Sequence, residues 1–428
     1  MRYVVEAPDE KGLLLLHTVS GELVRLDAAE EAAWRTLPGE CPEILAELYG
    51  RHFLVPEGFD EKKTVAQIRA VLRLTIPRKE ITSFTVLPTT ACNARCFYCY
   101  ESDYPHHTMT EETAEATARF IAGSCGSKRK VKIQWFGGEP LVGKNRVSQI
   151  CRILKDENIE LTSQMTTNGY LFTPELVREA RELWNLRSVQ ITLDGTEEIY
   201  NRTKAYVRAD GSPFRRVLDN IGELLAAGVH VSVRMNLDRH NEKDLEMLVD
   251  ELATRFAGKE GFGCYTHELF DRQGFEPIAH TEEDSAEITR RRIELDRRIE
   301  AAGLTLASSR KSLPSLRFNF CMADSPKSFL INPLGELGKC EHVPYDPPVG
   351  DVRSGVTDKK EHDKWLNSTF VDACAECELY PYCAHMEGCP TKDPCREEAR
   401  QERLLHCRQL MAAEHEGDPD EDAEMTEC

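Results

Sequence analysis

Phe84-Thr-Val-Leu-Pro88 is followed almost at once by Cys92-Asn-Ala-Arg-Cys96-Phe-Tyr-Cys99, then Tyr100 and Glu101. The first run reads as a strand and the second as a loop carrying three cysteines at x3 and x2 spacing. Three thiolates on one short loop can hold three irons of a cubane cluster and leave the fourth iron open to a ligand. A zinc knuckle is the competing use of such a loop. No fourth Cys or His follows at zinc spacing before His106, and structural zinc sites are closed.

The strand feeding this loop starts a regular alternation. Strand-like runs at 84–88, 131–135, 161–166, 188–193, 229–237 and, more weakly, 262–268 are separated by helical stretches near 110–123, 144–156, 174–184, 213–227, 242–256 and 281–302. Alternation of this kind predicts an α/β chain with a parallel sheet and crossover helices. Active groups of such sheets gather at the C-terminal ends of the strands. Trp135-Phe-Gly-Gly-Glu-Pro140 lies at the end of the second strand, where Gly137 and Gly138 allow close backbone approach and Glu139 can accept from an ammonium. Thr166-Thr-Asn-Gly169 ends the third strand and offers Asn168, and Thr192-Leu-Asp-Gly195 ends the fourth. In the fifth, Arg234 and Asn236 share one face. A structural ion pair is the plain alternative for Arg234.

The cysteine spacing with an aromatic residue just before Cys99 resembles the signature of radical S-adenosylmethionine (SAM) enzymes. The resemblance implies a partial (β/α)6 TIM-like barrel over residues 79–305 and a [4Fe-4S] cluster on Cys92, Cys96 and Cys99. It implies SAM on the open iron, cleaved after one electron arrives from a reductant such as flavodoxin or ferredoxin. Gly137, Gly138 and Glu139 match the family's GGEP motif, which receives the methionine amino group. Thr192 matches a Ser or Thr that touches SAM. The Arg that meets the SAM carboxylate, twelve residues further on, is replaced by Lys204, which keeps the charge without the bidentate fork; Arg202 and Arg234 are the other candidates. Tyr98 is expected against the adenine, and Phe97 in the core.

Residues 306–410 hold a second cysteine system: Cys321, Cys340, Cys374, Cys377, Cys383, Cys389, Cys395 and Cys407. Their order resembles the SPASM extension, which carries two auxiliary iron–sulfur clusters. By that resemblance Cys374, Cys377, Cys383 and Cys407 hold the outer cluster and Cys321, Cys340 and Cys389 the inner one. The spacing departs from the family between Cys383 and Cys389, where five residues stand in place of three. Cys395 either supplies the missing inner ligand or leaves an open iron there. Glu341 occupies the place of a catalytic Asp in sulfatase-maturing relatives, where a base would take the proton after oxidation; a solvated Glu is the alternative.

Residues 1–78 read as a small α+β, winged-helix-like domain. Strand-like runs at 2–5, 13–16 and 23–26 are followed by helices at 28–37, 42–49 and 62–74, with extended chain at 53–56. This order resembles the PqqD-like element that binds leader peptides by adding a strand to a sheet edge. Residues 411–428 form an acidic tail.

The net charge of −19 argues against a nucleic-acid partner. No apolar run is long enough to span a membrane, and MRYVVEAPDEKGLLLLH lacks the form of a signal peptide. Sixteen cysteines without an export signal point to metal or redox ligation in a reducing cytoplasm. The resemblance implies an oxidoreductase that matures a ribosomally synthesised, Cys-containing precursor peptide with a leader, installing thioether crosslinks. Carbon–carbon crosslinking and formylglycine formation in sulfatases are the alternatives. An electron carrier without SAM leaves the GGEP motif without a purpose.

Overall fold

The computed structural model describes residues 2–38, 42–75, 80–269, 282–305, 313–317, 319, 321–367, 372–383, 389 and 397–416. They divide into two compact units. One comprises 1–76, 310–320 and 369–428; the other comprises 77–309 and 321–368.

The first unit is built on a three-stranded antiparallel meander: β1 (Val4–Asp9), β2 (Gly12–His17) and β3 (Glu22–Leu26). β2 reads Gly-Leu-Leu-Leu-Leu-His, without alternation, because both faces of the sheet are covered. Leu13 and Leu15 pack with Val24 and Leu26 against Trp34, Leu45, Leu48 and Phe53. Leu14 and Leu16 pack with Val5 and Ala7 against Leu379, Leu404 and Met411. The last two belong to the C-terminal helix Glu397–Glu416. The sheet thus shares a core with the end of the chain, which the sequence assigns to a different segment.

Helix α1 (Ala28–Trp34) begins at Asp27, whose carboxylate accepts from Ala29 and Glu30 N–H while Glu30 reaches back to the Asp27 N–H, a full capping box. α2 (Ala46–Gly50) and α3 (Glu61–Thr75) follow. The expected extended run 53–56 forms no strand. His52 adopts φ 66° and Phe53 N–H returns to the Leu48 carbonyl at 2.9 Å, turning Phe53 inward.

The second unit holds six parallel strands in sequential order: β4 (Ser83–Thr89), β5 (Lys130–Gly137), β6 (Glu160–Thr167), β7 (Leu186–Thr192), β8 (His230–Leu237) and β9 (Phe262–Glu268). The crossovers are α4 (Glu111–Ser124), α5 (Lys144–Asp156), α6 (Pro174–Glu182), the pair α7 (Glu197–Lys204) and α8 (Pro213–Ala226), and α9 (Glu242–Phe256); α10 (Glu282–Ala301) follows β9. All six strands and six of the helices lie where the alternation predicts them. The alternation does not predict α7, whose apolar residues are too few to mark a period. Thr173-Pro174 and Ser212-Pro213 start α6 and α8, the hydroxyls accepting from Leu176 and Arg215 N–H.

Alternate strand residues divide the sheet. Val86, Ile133, Trp135, Val189, Ile191, Val231 and Val233 join the helices in one core. Their neighbours on the other face are polar and bond across strands: Gln134 to Thr166 at 3.0 Å, Tyr265 to Gln190 at 2.9 Å. Beyond β4 the sheet continues with β10 (Ser328–Ile331), parallel to β4, then antiparallel β11 (Glu336–Gly338), β12 (Gly350–Asp351) and β13 (Gly355–Val356), followed by α11 (Lys359–Leu366). This pairing is why residues 321–368 group with the barrel. Among the described residues no helix is long and apolar enough to cross a membrane.

In the first unit the buried Arg69 guanidinium stacks on Tyr380, 4.3 Å from its centroid, and donates to the carbonyls of Arg317, Tyr380 and Pro381. Replacing Arg69 by Met strands those carbonyls and is expected to cost roughly 2–4 kcal/mol. The check is the urea midpoint, with Arg69→Lys recovering little because a compact ammonium reproduces neither the planar fork that spans the carbonyls nor the stacking on Tyr380.

Candidate active site

The cysteine loop is placed by an interruption in its own strand. Pro88 has no N–H to give to the ladder, and the β4–β5 register slips between Val86 and Thr89. The chain then turns out over the C-terminal edge of the sheet. Four neighbours hold it there. Glu139 N–H donates to the Ala91 carbonyl at 3.0 Å, Arg95 N–H to the Lys204 carbonyl at 2.8 Å, and Val207 N–H to the Asn93 carbonyl at 2.9 Å. The Asn168 side-chain amide donates to Asn93 Oδ1 at 2.7 Å.

Gly137 and Gly138 make room for this loop. A Cβ on Gly138 would lie 2.5 Å from the Thr90 carbonyl oxygen and 2.6 Å from that of Ala91; one on Gly137, which has φ 109°, would lie 2.3 Å from the Thr89 oxygen. What the two glycines admit in this structure is backbone. Glu139 is wholly buried, and its carboxylate accepts from Leu141 N–H at 3.0 Å, Thr167 Oγ1 at 2.7 Å and Asn168 N–H at 2.7 Å. Burial pushes its pKa up against those donors. Its partners are therefore protein groups, and its visible work is to lock the ends of β5 and β6 together.

Cys92, Cys96 and Cys99 are half-buried. Burial pushes the Cys92 thiol up to about 12 and the Cys99 thiol to about 11, and raises Cys96. Thiols in such surroundings become thiolates only when a metal replaces the proton. Among the described residues no three His, Cys, Asp or Glu side chains converge tightly enough to hold a single ion. A cubane, which gives each thiolate its own iron, has no need of that convergence. The donor set and loop fit an iron–sulfur cluster better than one tetrahedral zinc.

Beside the loop, at the ends of β7–β9, lies a cavity of about 250 Å³ lined by Phe97, Tyr98, Asp194, Arg202, Asn236 and His240, among others. Phe97 is 56% exposed at its rim, not in the core as the sequence implies, because the loop turns outward at that residue. Arg202 is exposed on the cavity, and among the described residues it pairs with no carboxylate. Lys204 behaves differently. It is 2% exposed, and its ammonium lies 2.8 Å from Asp194 Oδ2 and donates to Tyr98 Oη at 2.7 Å. Burial, the largest single influence, lowers its pKa, yet Asp194 with Tyr98, Cys96 and Tyr200 together outweigh burial and hold it well above the ordinary lysine value.

Arg234 meets no carboxylate among the described residues. Its Nε donates to Asn236 Oδ1 at 2.9 Å, and Nη2 lies 3.0 Å from His267 Nδ1. Burial first and Arg234 second push both His267 and His342 down to about 4, so both rings are neutral near pH 7. Thr192 ends β7 half-buried opposite Arg234. Glu341 is half-buried and raised by burial. It faces a residue to which the sequence assigns no role: Glu101, 6% exposed and pushed to about 8 by burial and then by Glu341. Asp194 and Asn236 likewise stand in the strand-end motifs without an assigned role; only the fold brings them together.

The other cysteines fall in both units. In the first, Cys377, Cys383 and Cys407 share one apolar cluster, and Cys377 N–H donates to the Cys374 carbonyl at 3.0 Å. Arg403 donates to Cys383 Sγ at 2.6 Å. Cys389 belongs to the same unit, while Cys321 and Cys340 belong to the barrel unit. Cys395, Cys41, Cys428 and most of the acidic tail lie outside the described residues. Cys125, Cys151 and Cys264 are buried, as expected of small apolar side chains.

Residues 86–252 match the family model described as Radical SAM superfamily. Curated relatives include a radical SAM cyclopropyl synthase, TigE, of Paramaledivibacter caminithermalis, 24% identical over 39% of this chain and 41% of its own length. A GTP 3′,8-cyclase of Clostridium perfringens is 32% identical over 39% of this chain and 50% of its own. The chain thus spans half or less of these relatives. Among solved structures, anSMEcpe with bound AdoMet and a Cp18Cys peptide aligns with a TM-score of 0.57 at 14% identity, covering 78% of this chain and 99% of that one. Streptococcus suis SuiB bound to S-adenosylmethionine aligns at 0.53 and 14% identity, covering 93% and 99%. The parallel-sheet unit has the radical SAM fold that these structures share.

Two outcomes follow. Gly138→Ala must displace Thr90–Ala91 and is expected to destabilise the barrel by about 2 kcal/mol or more and to speed alkylation of Cys92, read by mass spectrometry. Glu101 has a folded pKa of about 8 against an ordinary 4.5, so folding takes up a proton between those values. Stability of the metal-free protein should therefore fall as pH rises from 5 to 8, and Glu101→Gln should flatten that slope in urea titrations.

Proposed function

We propose that this protein is a radical SAM enzyme that matures a ribosomally synthesised peptide, closing a cysteine sulfur onto a peptide carbon as a thioether. The observation that carries the reading is the cysteine loop clasped over the strand ends by Glu139, Asn168 and Lys204, with the cavity directly beside it.

Cys92, Cys96 and Cys99 would hold a [4Fe-4S] cluster. Cys374, Cys377, Cys383 and Cys407 would hold an outer auxiliary cluster; Cys321, Cys340 and Cys389, with or without Cys395, would hold an inner one. When bound, these groups would supply one-electron chemistry: a SAM-derived radical to remove a hydrogen atom from the peptide carbon, and an acceptor for the electron released as the deprotonated sulfur closes on that carbon. The residues around the cavity do the positioning. Arg202, without a carboxylate partner among the described residues, lines the cavity and would meet a carboxylate of the cofactor; Arg234, on β8, is the other candidate. Tyr98 walls the cavity on the loop side, and Thr192 stands at the end of β7. Glu341 and Glu101, whose burial favours their protonated forms, would exchange protons with the peptide.

The fold likeness to anSMEcpe and SuiB structures with bound peptides supports a peptide partner. A leader would add to β3, whose outer edge pairs with no strand among the described residues. The electron would come from a flavodoxin or ferredoxin in a reducing cytoplasm.

The test is anaerobic reconstitution followed by co-expression with a short Cys-containing peptide encoded beside the gene. The wild type should cleave SAM to 5′-deoxyadenosine, and Cys96→Ala should abolish cleavage while keeping the auxiliary iron. The peptide should lose two hydrogens, with one thiol no longer alkylable. The same mass loss with every thiol reactive would replace thioether by carbon–carbon closure. No change in any neighbouring peptide would move the assignment to a protein substrate such as a sulfatase.

A further inference from the structure

We infer that Lys204, Asp194 and Tyr98 form a clamp on Cys96, and that Lys204 is a positioning residue for the cysteine loop instead of a receptor for the cofactor's carboxylate. The inference rests on reading Cys92, Cys96 and Cys99 as cluster ligands.

The three side chains close a triangle. Lys204 Nζ lies 2.8 Å from Asp194 Oδ2 and donates to Tyr98 Oη at 2.7 Å, while the Tyr98 hydroxyl donates to the same Asp194 oxygen at 2.7 Å. Asp194 Oδ1 accepts from Asn236 Nδ2 at 2.9 Å, so both carboxylate oxygens are engaged. Nζ also lies 5.3 Å and 5.8 Å from the ring centres of Tyr98 and Tyr200. Both charges are buried.

Lys204 grips the loop twice. Its carbonyl, at the end of α7 where Ala205 turns to φ 43°, accepts Arg95 N–H, one residue before Cys96. Its ammonium holds the phenol of Tyr98, two residues after Cys96. Backbone and side chain of one residue therefore brace both flanks of one thiol.

The same geometry argues against an anion site. The lysine charge is already matched by Asp194 in a buried place. An incoming carboxylate would either take the ammonium from Asp194 or bring a second negative charge beside it, each at a heavy cost in free energy in a buried place. A partner one shell out from a metal ligand is known instead by its effect on retention of the metal, typically about 10–100-fold.

The experiment compares reconstituted wild type with Lys204→Met, Lys204→Arg, Tyr98→Phe and the double variant Lys204→Met/Asp194→Leu, which leaves no unpaired charge. Circular dichroism checks folding. The readouts are the reduced-cluster EPR signal that responds to SAM, recorded without SAM, its survival under a chelator, and affinities for SAM and for methylthioadenosine, which has no carboxylate. Lys204→Met, Tyr98→Phe and the folded double variant should change the SAM-free signal and lose it to chelator on the order of 10–100-fold faster, with Lys204→Arg partly restoring it. Unchanged SAM-free signal and retention, with SAM affinity lost and methylthioadenosine affinity kept, would overturn the inference and make Lys204 the carboxylate's ligand. A wild type that builds no SAM-responsive signal would instead overturn the cluster assignment beneath it.

Discussion

The barrel mouth depends on a carboxylate that no solvent reaches. Glu139 is bonded through three donors that belong to its own turn and to the end of β6. Its backbone N–H meanwhile holds Ala91, at the start of the cysteine loop. A buried charge satisfied from several directions tolerates little movement, since losing any donor leaves part of it unpaired in a low-dielectric site. The ends of two strands and the root of the loop are thereby fixed as one piece. The glycines before Glu139 are the steric condition for this contact: a methyl group at either position would occupy the space of a backbone oxygen.

The strands of the barrel are legible in the sequence because their two faces differ in chemistry while their order is simple. Residues such as Val86, Ile133 and Val231 announce the helix-facing side, and Thr-Pro and Ser-Pro pairs announce helix starts. The cysteine loop is legible because three thiols within eight residues serve little besides a metal. What the sequence conceals are relations between distant residues. The spacing of Lys204 from Thr192 suggests a cation open to a ligand, yet burial and Asp194 turn it inward. Leu13–Leu16 reads as a strand without revealing that its second face packs on residues almost four hundred positions later. The extra strand β10 is likewise hidden, because four residues beside β4 leave no periodic signature.

The polar face of the sheet carries an uneven distribution of charge. On the β8 side stands Arg234 with neutral partners, because burial and its own field keep His267 and His342 unprotonated. Near Cys99 stand Glu101 and Glu341, where burial and, at Glu101, the neighbouring carboxyl favour protons on the acids. The two histidines and the two carboxyls are all moved from their solution behaviour, burial first in each case, a concentration of shifts that marks working sites more often than structural ones. A purely structural interior would pair Arg234 with one of those carboxylates and so lower the cost of burying all three. Among the described residues no ion pair joins them: Arg234 has Asn236 and His267 as its neighbours, and the two carboxyls hold their protons by burial.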